Sequence, residues 1–126
     1  MSNVPDDLRY TADHEWLRTG DAGACTVGIT AFAVEQLGDI TLVELPAEGA
    51  TVAKGDRFGT IESVKSVSDL YAPISGTVTK VNAAVKDAPE QVNADCYAAW
   101  MIELTPSDPA QLDELLTADA YRAALA

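Results

Sequence analysis

One lysine in this chain sits where its neighbours give it a chemical role. Lys65 lies between two runs rich in strand-forming residues, Arg57 to Ser63 and Ser66 to Ala72. The turn between them, Val64–Lys65, has no glycine, asparagine or proline, the residues that a hairpin tip normally recruits. Something other than turn propensity selects this tip. A lysine there projects its primary amine into solvent, away from the sheet, where a modifying enzyme can recognise the turn and acylate the nitrogen. Residue types alone leave an ordinary solvated lysine as the alternative.

Other chemistries find little support. The two cysteines, Cys25 and Cys96, are far apart, no CxxC occurs, and His14 is the single histidine. A structural zinc site takes four Cys or His ligands, and only three candidates exist. A Cys–His–Asp constellation would have to be assembled from scattered residues. No nucleophile–base motif and no phosphate-binding loop appears, which disfavours a self-contained enzyme. In a cytosolic protein, free thiols are expected rather than a Cys25–Cys96 disulfide.

Eight basic residues against 20 acidic ones give a net charge of −12, which repels nucleic-acid backbones and anionic lipid. The same charge serves solubility or steers the chain towards basic partner surfaces. No stretch approaches the roughly 18 uninterrupted apolar residues of a membrane span. Met1 to Tyr10 lacks the basic start and apolar run of a signal peptide. A cytoplasmic protein is expected, with neither a nucleic-acid nor a membrane partner.

The elements that must position Lys65 are mostly short strands. Turn signals recur at Gly20–Asp21–Ala22–Gly23, Pro46–Ala47–Glu48–Gly49, Lys54–Gly55–Asp56, Pro73–Ile74–Ser75–Gly76 and Asp87–Ala88–Pro89. Such spacing suggests a barrel or a sandwich. Ala24 to Thr30 alternates, with Cys25, Val27 and Ile29 on one face. Thr30 and Gly38 read as the caps of a short helix over Ala31 to Leu37. Asp39 to Leu45, Thr77 to Val81 and Trp100 to Thr105 complete the strands, with Trp100, Ile102 and Leu104 sharing a face. At the end of the chain, Asp108–Pro109 with Gln111 has capping-box spacing, and Leu112, Leu115 and Leu116 form an apolar helical stripe. Thr117 caps a further turn carrying Tyr121, Ala124 and Leu125. Helices over about 108–125 are expected to pack outside the β core, and a partner-binding amphipathic helix is the alternative. Pro46-x-x-Gly49 leading to Val52 and Lys54 is weakly echoed by Pro73-x-x-Gly76 leading to Val78 and Lys80, which suggests two similar halves flanking the Val64–Lys65 tip.

The segment Glu62-Ser-Val-Lys65-Ser-Val-Ser-Asp-Leu-Tyr-Ala-Pro73-Ile-Ser-Gly76 resembles the lipoylation segment of the glycine cleavage system H proteins. Tyr10-Thr-Ala-Asp-His-Glu-Trp16 resembles the family's N-terminal block. Val27-Gly-Ile-Thr30, Leu37-Gly-Asp-Ile40 and Val43-Glu-Leu-Pro46 resemble its central block. Val92-Asn-Ala-Asp95, Trp100 and Leu112 to Tyr121 resemble its C-terminal part. The resemblance spans almost the whole of residues 1–126 in the right order, read as a single carrier domain. It implies a mostly β fold, a barrel-sandwich hybrid with a short internal helix and C-terminal helices.

It also implies that Lys65 bears lipoate in amide linkage, with Glu62 recognised by the lipoylation enzymes. Biotin-carrying domains share the architecture, but their lysine usually sits between methionines. Val64 and Ser66 flank Lys65 here, which favours lipoate. The implied role is that of a non-catalytic carrier. It takes the aminomethyl group from glycine decarboxylase to aminomethyltransferase, and the dithiol to dihydrolipoyl dehydrogenase. Lipoate ligase or octanoyltransferase, together with lipoyl synthase, would install the group. A relay of lipoyl groups to other 2-oxoacid dehydrogenase complexes is the alternative.

By motif position, Glu15 and Asp69 match carboxylates of a cleft that shelters the loaded arm, and Asp13 is a further candidate. From residue type alone, a surface turn residue is the alternative reading of Glu15, and a solvated strand residue that of Asp69. His14 reads as a surface residue or as support behind the cleft, and Trp16 and Trp100 as core. The chain departs from the family pattern at Cys96, where proline commonly precedes the tyrosine, at Ala98–Ala99, a spot that often holds glycine, and at Gln36, which is histidine in some relatives.

Overall fold

The structure is a computed structural model that describes residues 4–20 and 23–125. Nine strands are seen among these residues. They are β1 (Arg9–Tyr10), β2 (Glu15–Thr19), β3 (Cys25–Ile29), β4 (Ile40–Glu44), β5 (Thr51–Val52), β6 (Arg57–Ser63), β7 (Val67–Tyr71), β8 (Gly76–Val81) and β9 (Ile102–Pro106). They form two antiparallel sheets. One has six strands in the order β1-β2-β3-β9-β8-β5, and the other has three in the order β4-β6-β7. Neither sheet closes on itself. The mostly β architecture implied by the resemblance is present.

The core lies between the sheets. Val27, Ile29, Ile102 and Leu104 from the larger sheet meet Val43, Phe58, Ile61 and Leu70 from the smaller one, all buried. The alternation at Cys25, Val27 and Ile29 thus points inward as its spacing requires. Gly28, on the opposite face of β3, is buried because the Trp16 indole lies against it. A Cβ on Gly28 would sit 2.6 Å from Trp16 Cε2, so only glycine admits the indole there. Trp16 then donates from Nε1 to the Cys96 carbonyl at 3.1 Å. Trp16 is core, as its type suggested. Trp100 is only half-buried and precedes β9 instead of sharing its face with Ile102 and Leu104.

Helix α1 (Ala31–Leu37) has the predicted bounds and caps. Thr30 Oγ1 accepts from the Ala33 N–H at 3.3 Å, and Gly38 takes φ 80° after Leu37. Two five-residue helices, α2 (Ala83–Asp87) and α3 (Glu90–Ala94), flank the expected turn at Asp87–Pro89. The expected turn at Gly20–Gly23 includes Asp21 and Ala22, which lie outside the described residues.

The C-terminal stripe differs from expectation. A 3₁₀ turn covers Pro109–Glu114, and Leu115 then goes extended at φ −75°, ψ 155°. Leu116 forms an isolated bridge with Tyr10, so Leu112, Leu115 and Leu116 do not share one helix face. Gln111 does not complete a capping box, because its Oε1 accepts from the Ser75 N–H at 2.6 Å. Tertiary partners outcompete the local helix here. A true helix, α4 (Ala118–Leu125), follows with Thr117 as its cap, and buries Ala118 and Tyr121 against a second cluster with Val4, Leu8, Tyr10 and Trp16.

The weak internal echo also has a physical counterpart. Its two segments pair with each other, since β5 lies antiparallel to β8 with Thr51 opposite Thr77.

Candidate functional site

Lys65 sits at the tip of the β6–β7 hairpin. Strands β6 and β7 pair from Arg57 opposite Tyr71 to Glu62 opposite Val67, which leaves the tip to Ser63–Ser66. The turn closes without glycine because Ser63 does the work. Its N–H donates to the Ser66 carbonyl at 2.8 Å, and its Oγ accepts from the N–H groups of Lys65 (3.3 Å) and Ser66 (3.1 Å). A hydroxyl that gathers nearby N–H groups is a known turn device. None of the four tip residues needs a positive φ. The Val64 N–H donates to the Asp39 carbonyl at 3.0 Å, which ties the tip to the segment after α1. Lys65 is exposed. Its Cε would lie 3.4 Å from a Cβ at Gly38, so the aliphatic stem leans over the end of α1. Glu62 is half-buried on β6, between Leu42 of β4 and Val67 of β7.

A cleft of about 600 Å³ opens beside this hairpin. That is an ordinary size for a small-molecule site. One wall is β7 and its approach, from Ser66 to Tyr71. The other is α1, through Ala33, Gln36 and Leu37. Asp13, His14 and Glu15 complete the lining. The cleft therefore starts next to Lys65 and runs to the β2 end of the larger sheet.

Glu15 is the unusual group in it. The residue is 2% exposed. Its Oε2 accepts from the Tyr71 N–H at 2.7 Å, so the carboxyl links β2 of one sheet to β7 of the other. Its Oε1 is buried with no hydrogen-bond partner among the described residues. A buried carboxylate oxygen without a partner is costly when charged. Burial accordingly raises the Glu15 pKa to about 8, opposed by the Tyr71 hydrogen bond and reinforced by the Asp13 charge. Glu15 is no surface turn residue.

Asp69 also borders the cleft, but its carboxylate is turned elsewhere. Oδ1 lies 3.8 Å from Arg57 Nη1, and Oδ2 accepts from the Tyr71 hydroxyl at 3.4 Å. Asp69 shares an outward row with Thr60 and Glu44. The structure therefore brings Glu15, Asp13 and the approach to Lys65 into one cleft, and gives Asp69 an exposed ion pair at its rim.

Residue types did not reveal what holds the cleft's rear. His14 has φ 66°, the one non-glycine positive φ among the described residues. Such geometry is uncommon and marks sites held by their surroundings. The Thr30 N–H donates to the His14 carbonyl at 3.0 Å. The His14 Nδ1 is 2.8 Å from the Tyr121 hydroxyl, which is 2.8 Å from Thr30 Oγ1. The imidazole also packs on Phe32 with centroids 4.5 Å apart. Burial lowers the His14 pKa, against the pull of Asp13, so the ring favours its neutral form. Tyr121, stacked on Tyr10 at 4.6 Å, thus fastens α4 to the cleft. The sequence signals for this arrangement were the reading of His14 as support behind the cleft and Tyr121's apolar position in the last helix.

A family model described as Glycine cleavage H-protein matches residues 8–126. This chain belongs to the glycine cleavage H-protein family. It is 50% identical to the glycine cleavage system H protein of Burkholderia ambifaria (strain MC40-6), over 96% of each chain. It is likewise 50% identical to glycine cleavage system H protein 2 of Pseudomonas aeruginosa, covering 99% of this chain and 97% of that one. A crystal structure of a glycine cleavage system H protein from Mycobacterium marinum superposes with a TM-score of 0.88 at 44% identity, covering 97% and 98% of the two chains. H proteins are the carrier component of the glycine cleavage system rather than a catalytic subunit. No helix among the described residues is long and apolar enough to cross a membrane.

Proposed function

We propose that Lys65 carries lipoate in amide linkage, and that the cleft from Ser66 to Glu15 receives the arm when its end is cationic. The observation that carries this reading is the orphaned Glu15 Oε1, buried in a cleft that begins beside an exposed tip lysine. The residues present suit such a group. A long flexible tether needs an accessible amine at a firm anchor, and Ser63 supplies the firmness. An ammonium at the arm's end needs a carboxylate away from water, where a charge-assisted hydrogen bond is strongest. Glu15 offers one free oxygen, while Tyr71 fixes the other.

When bound, lipoate would supply a sulfur that accepts a one-carbon aminomethyl unit and a disulfide–dithiol couple. The protein's own part is to anchor, to shelter and to hold charge. An arriving ammonium favours the ionised form of Glu15, so the carboxyl gives up its proton as the cation settles. The cleft walls of β7 and α1 keep water from that end, which protects a hydrolysable group. Asp13 adds negative potential beside Glu15, and the Asp69–Arg57 pair lies at the rim.

The partners we propose are glycine decarboxylase, aminomethyltransferase and dihydrolipoyl dehydrogenase. Lipoate ligase or octanoyltransferase, with lipoyl synthase, would load Lys65, with Glu62 within reach of those enzymes. The cytoplasm is the compartment we propose, in keeping with Cys25 and Cys96 both being unpaired thiols. The test is intact mass after production with lipoylation enzymes. The wild type gains one lipoyl group and Lys65→Arg gains none. A lipoyl group mapped to Lys54 or Lys80 would overturn the reading.

A further inference from the structure

Among the described residues, three large hydrophobics are exposed: Val64 (69%), Val67 (63%) and Leu42 (40%). Exposed apolar residues scattered singly need no explanation, but clustered ones do. These three are clustered. Leu42, Glu62 and Val67 are successive cross-strand partners on β4, β6 and β7, so they stand in one row on the same face of the small sheet. Buried Val43 and Ile61 hold the next row and face the core, so the Leu42 row faces outward. Val64 lies at the tip beside Lys65. The half-buried Glu62 thus has an apolar residue on each side and a third beyond it. Around the patch, Asp39, Glu44 and Asp69 are exposed acids.

Resting on the reading of Lys65 as the acylated lysine, we propose that Leu42, Val64 and Val67, arranged around Glu62, are the docking surface for the acyl-transfer enzyme that loads Lys65. The occupant follows from reach. An enzyme that acylates the bare amine must bring its active site within four methylenes of the tip backbone, so it must cover this face. An enzyme that works at the far end of an acylated arm meets it a whole acyl chain further out and has no such need. The chemistry fixes the partner's class: an enzyme holding a lipoyl or octanoyl group as an acyl adenylate or thioester. The Lys65 nitrogen attacks the acyl carbonyl. The amide bond forms, adenylate or thiol departs, and the amine gives up a proton. The docking face of that enzyme should be apolar for the three side chains, with a basic group among them for Glu62 and a basic edge for the surrounding acids.

The test is acylation kinetics of the full-length apo protein, with a lipoate–protein ligase, ATP and lipoate as the probe. The variant is Leu42→Thr/Val64→Ser, which keeps a β-branched residue in β4 and leaves Val67, part of the cleft wall, untouched. The expected result is an apparent KM at least about tenfold higher with kcat nearly unchanged, since a lost docking contact removes binding rather than chemistry. The fully lipoylated variant should be reduced by dihydrolipoyl dehydrogenase at the wild-type rate, and thermal melting should match wild type. An unchanged KM overturns the proposal. So does an equal loss with the dehydrogenase, which would make the patch a general surface. Acylation of wild type away from Lys65 would instead overturn the underlying reading. If the double variant melts early, Val64→Ser alone, which lies outside every strand, must show the same KM effect for the proposal to stand.

Discussion

The hairpin tip and the cleft floor lie at the two ends of one cleft, yet they are built on opposite terms. At the tip, every unusual demand is met locally. Ser63 satisfies the turn amides, no residue is forced to positive φ, and Lys65 is left in solvent. At the floor, the demands are left open. Glu15 is buried with one oxygen unpartnered, and His14 before it is held in a left-handed conformation by Thr30 and Tyr121. The two ends of the cleft serve different tasks. A tether must be accessible and cheap to present, so it sits on relaxed structure. A shelter must favour its guest over water, so it keeps an unmet need that only the guest fulfils.

The largest effect should come from breaking the floor. Glu15→Ala removes a charge-assisted contact of about 1.5–3 kcal/mol, so loss of the aminomethyl group from the loaded, isolated carrier should accelerate roughly 10–150-fold. Unchanged release, followed by isotope-labelled glycine carbon, would make the floor no more of a shelter than the tip.

A smaller effect should appear in the pH dependence of melting. The folded Glu15 pKa of about 8 lies above the usual 4.5. Between those values the folded chain keeps a proton that the unfolded chain has released. Stability from this group is therefore greatest below pH 4.5 and is lost as pH rises through 8. Wild-type Tm should fall more steeply from pH 5 to 9 than that of Glu15→Gln, and the variant should melt several °C higher at pH 9. Parallel curves would show that Glu15 carries no such burden. The smallest effect is at the tip, where Ser63→Ala should cost about 0.5–1.5 kcal/mol by chemical denaturation, because the freed amides are exposed and water replaces the hydroxyl. A larger loss would mean that the tip, too, is strained.

The legible parts of the fold were those whose causes are local. Thr30 and Gly38 bracket α1 because capping needs only neighbours in sequence. The β6–β7 hairpin and the anomaly of Lys65 could be read the same way. Glu15 was placed in the cleft by the resemblance alone, because a carboxylate in the run Glu15-Trp-Leu-Arg-Thr19 contradicts the usual pattern of a buried strand, and its burial is imposed by β7 from 56 residues away. The three-leucine stripe misled for a related reason. Its spacing suits a helix, but Tyr10 and Ser75 compete for Leu116 and Gln111. The exposed row of Leu42, Glu62 and Val67 was also hidden, since it exists only once three strands are in register.

The Glu15–Tyr71 hydrogen bond has one more consequence. Strand β7 ends its sheet, and an unpaired strand border is where a second copy of a chain can add itself and begin a fibre. Here a side-chain carboxyl from the other sheet occupies the Tyr71 N–H. The residue that waits for a guest thereby also takes one donor of that border away from any added strand.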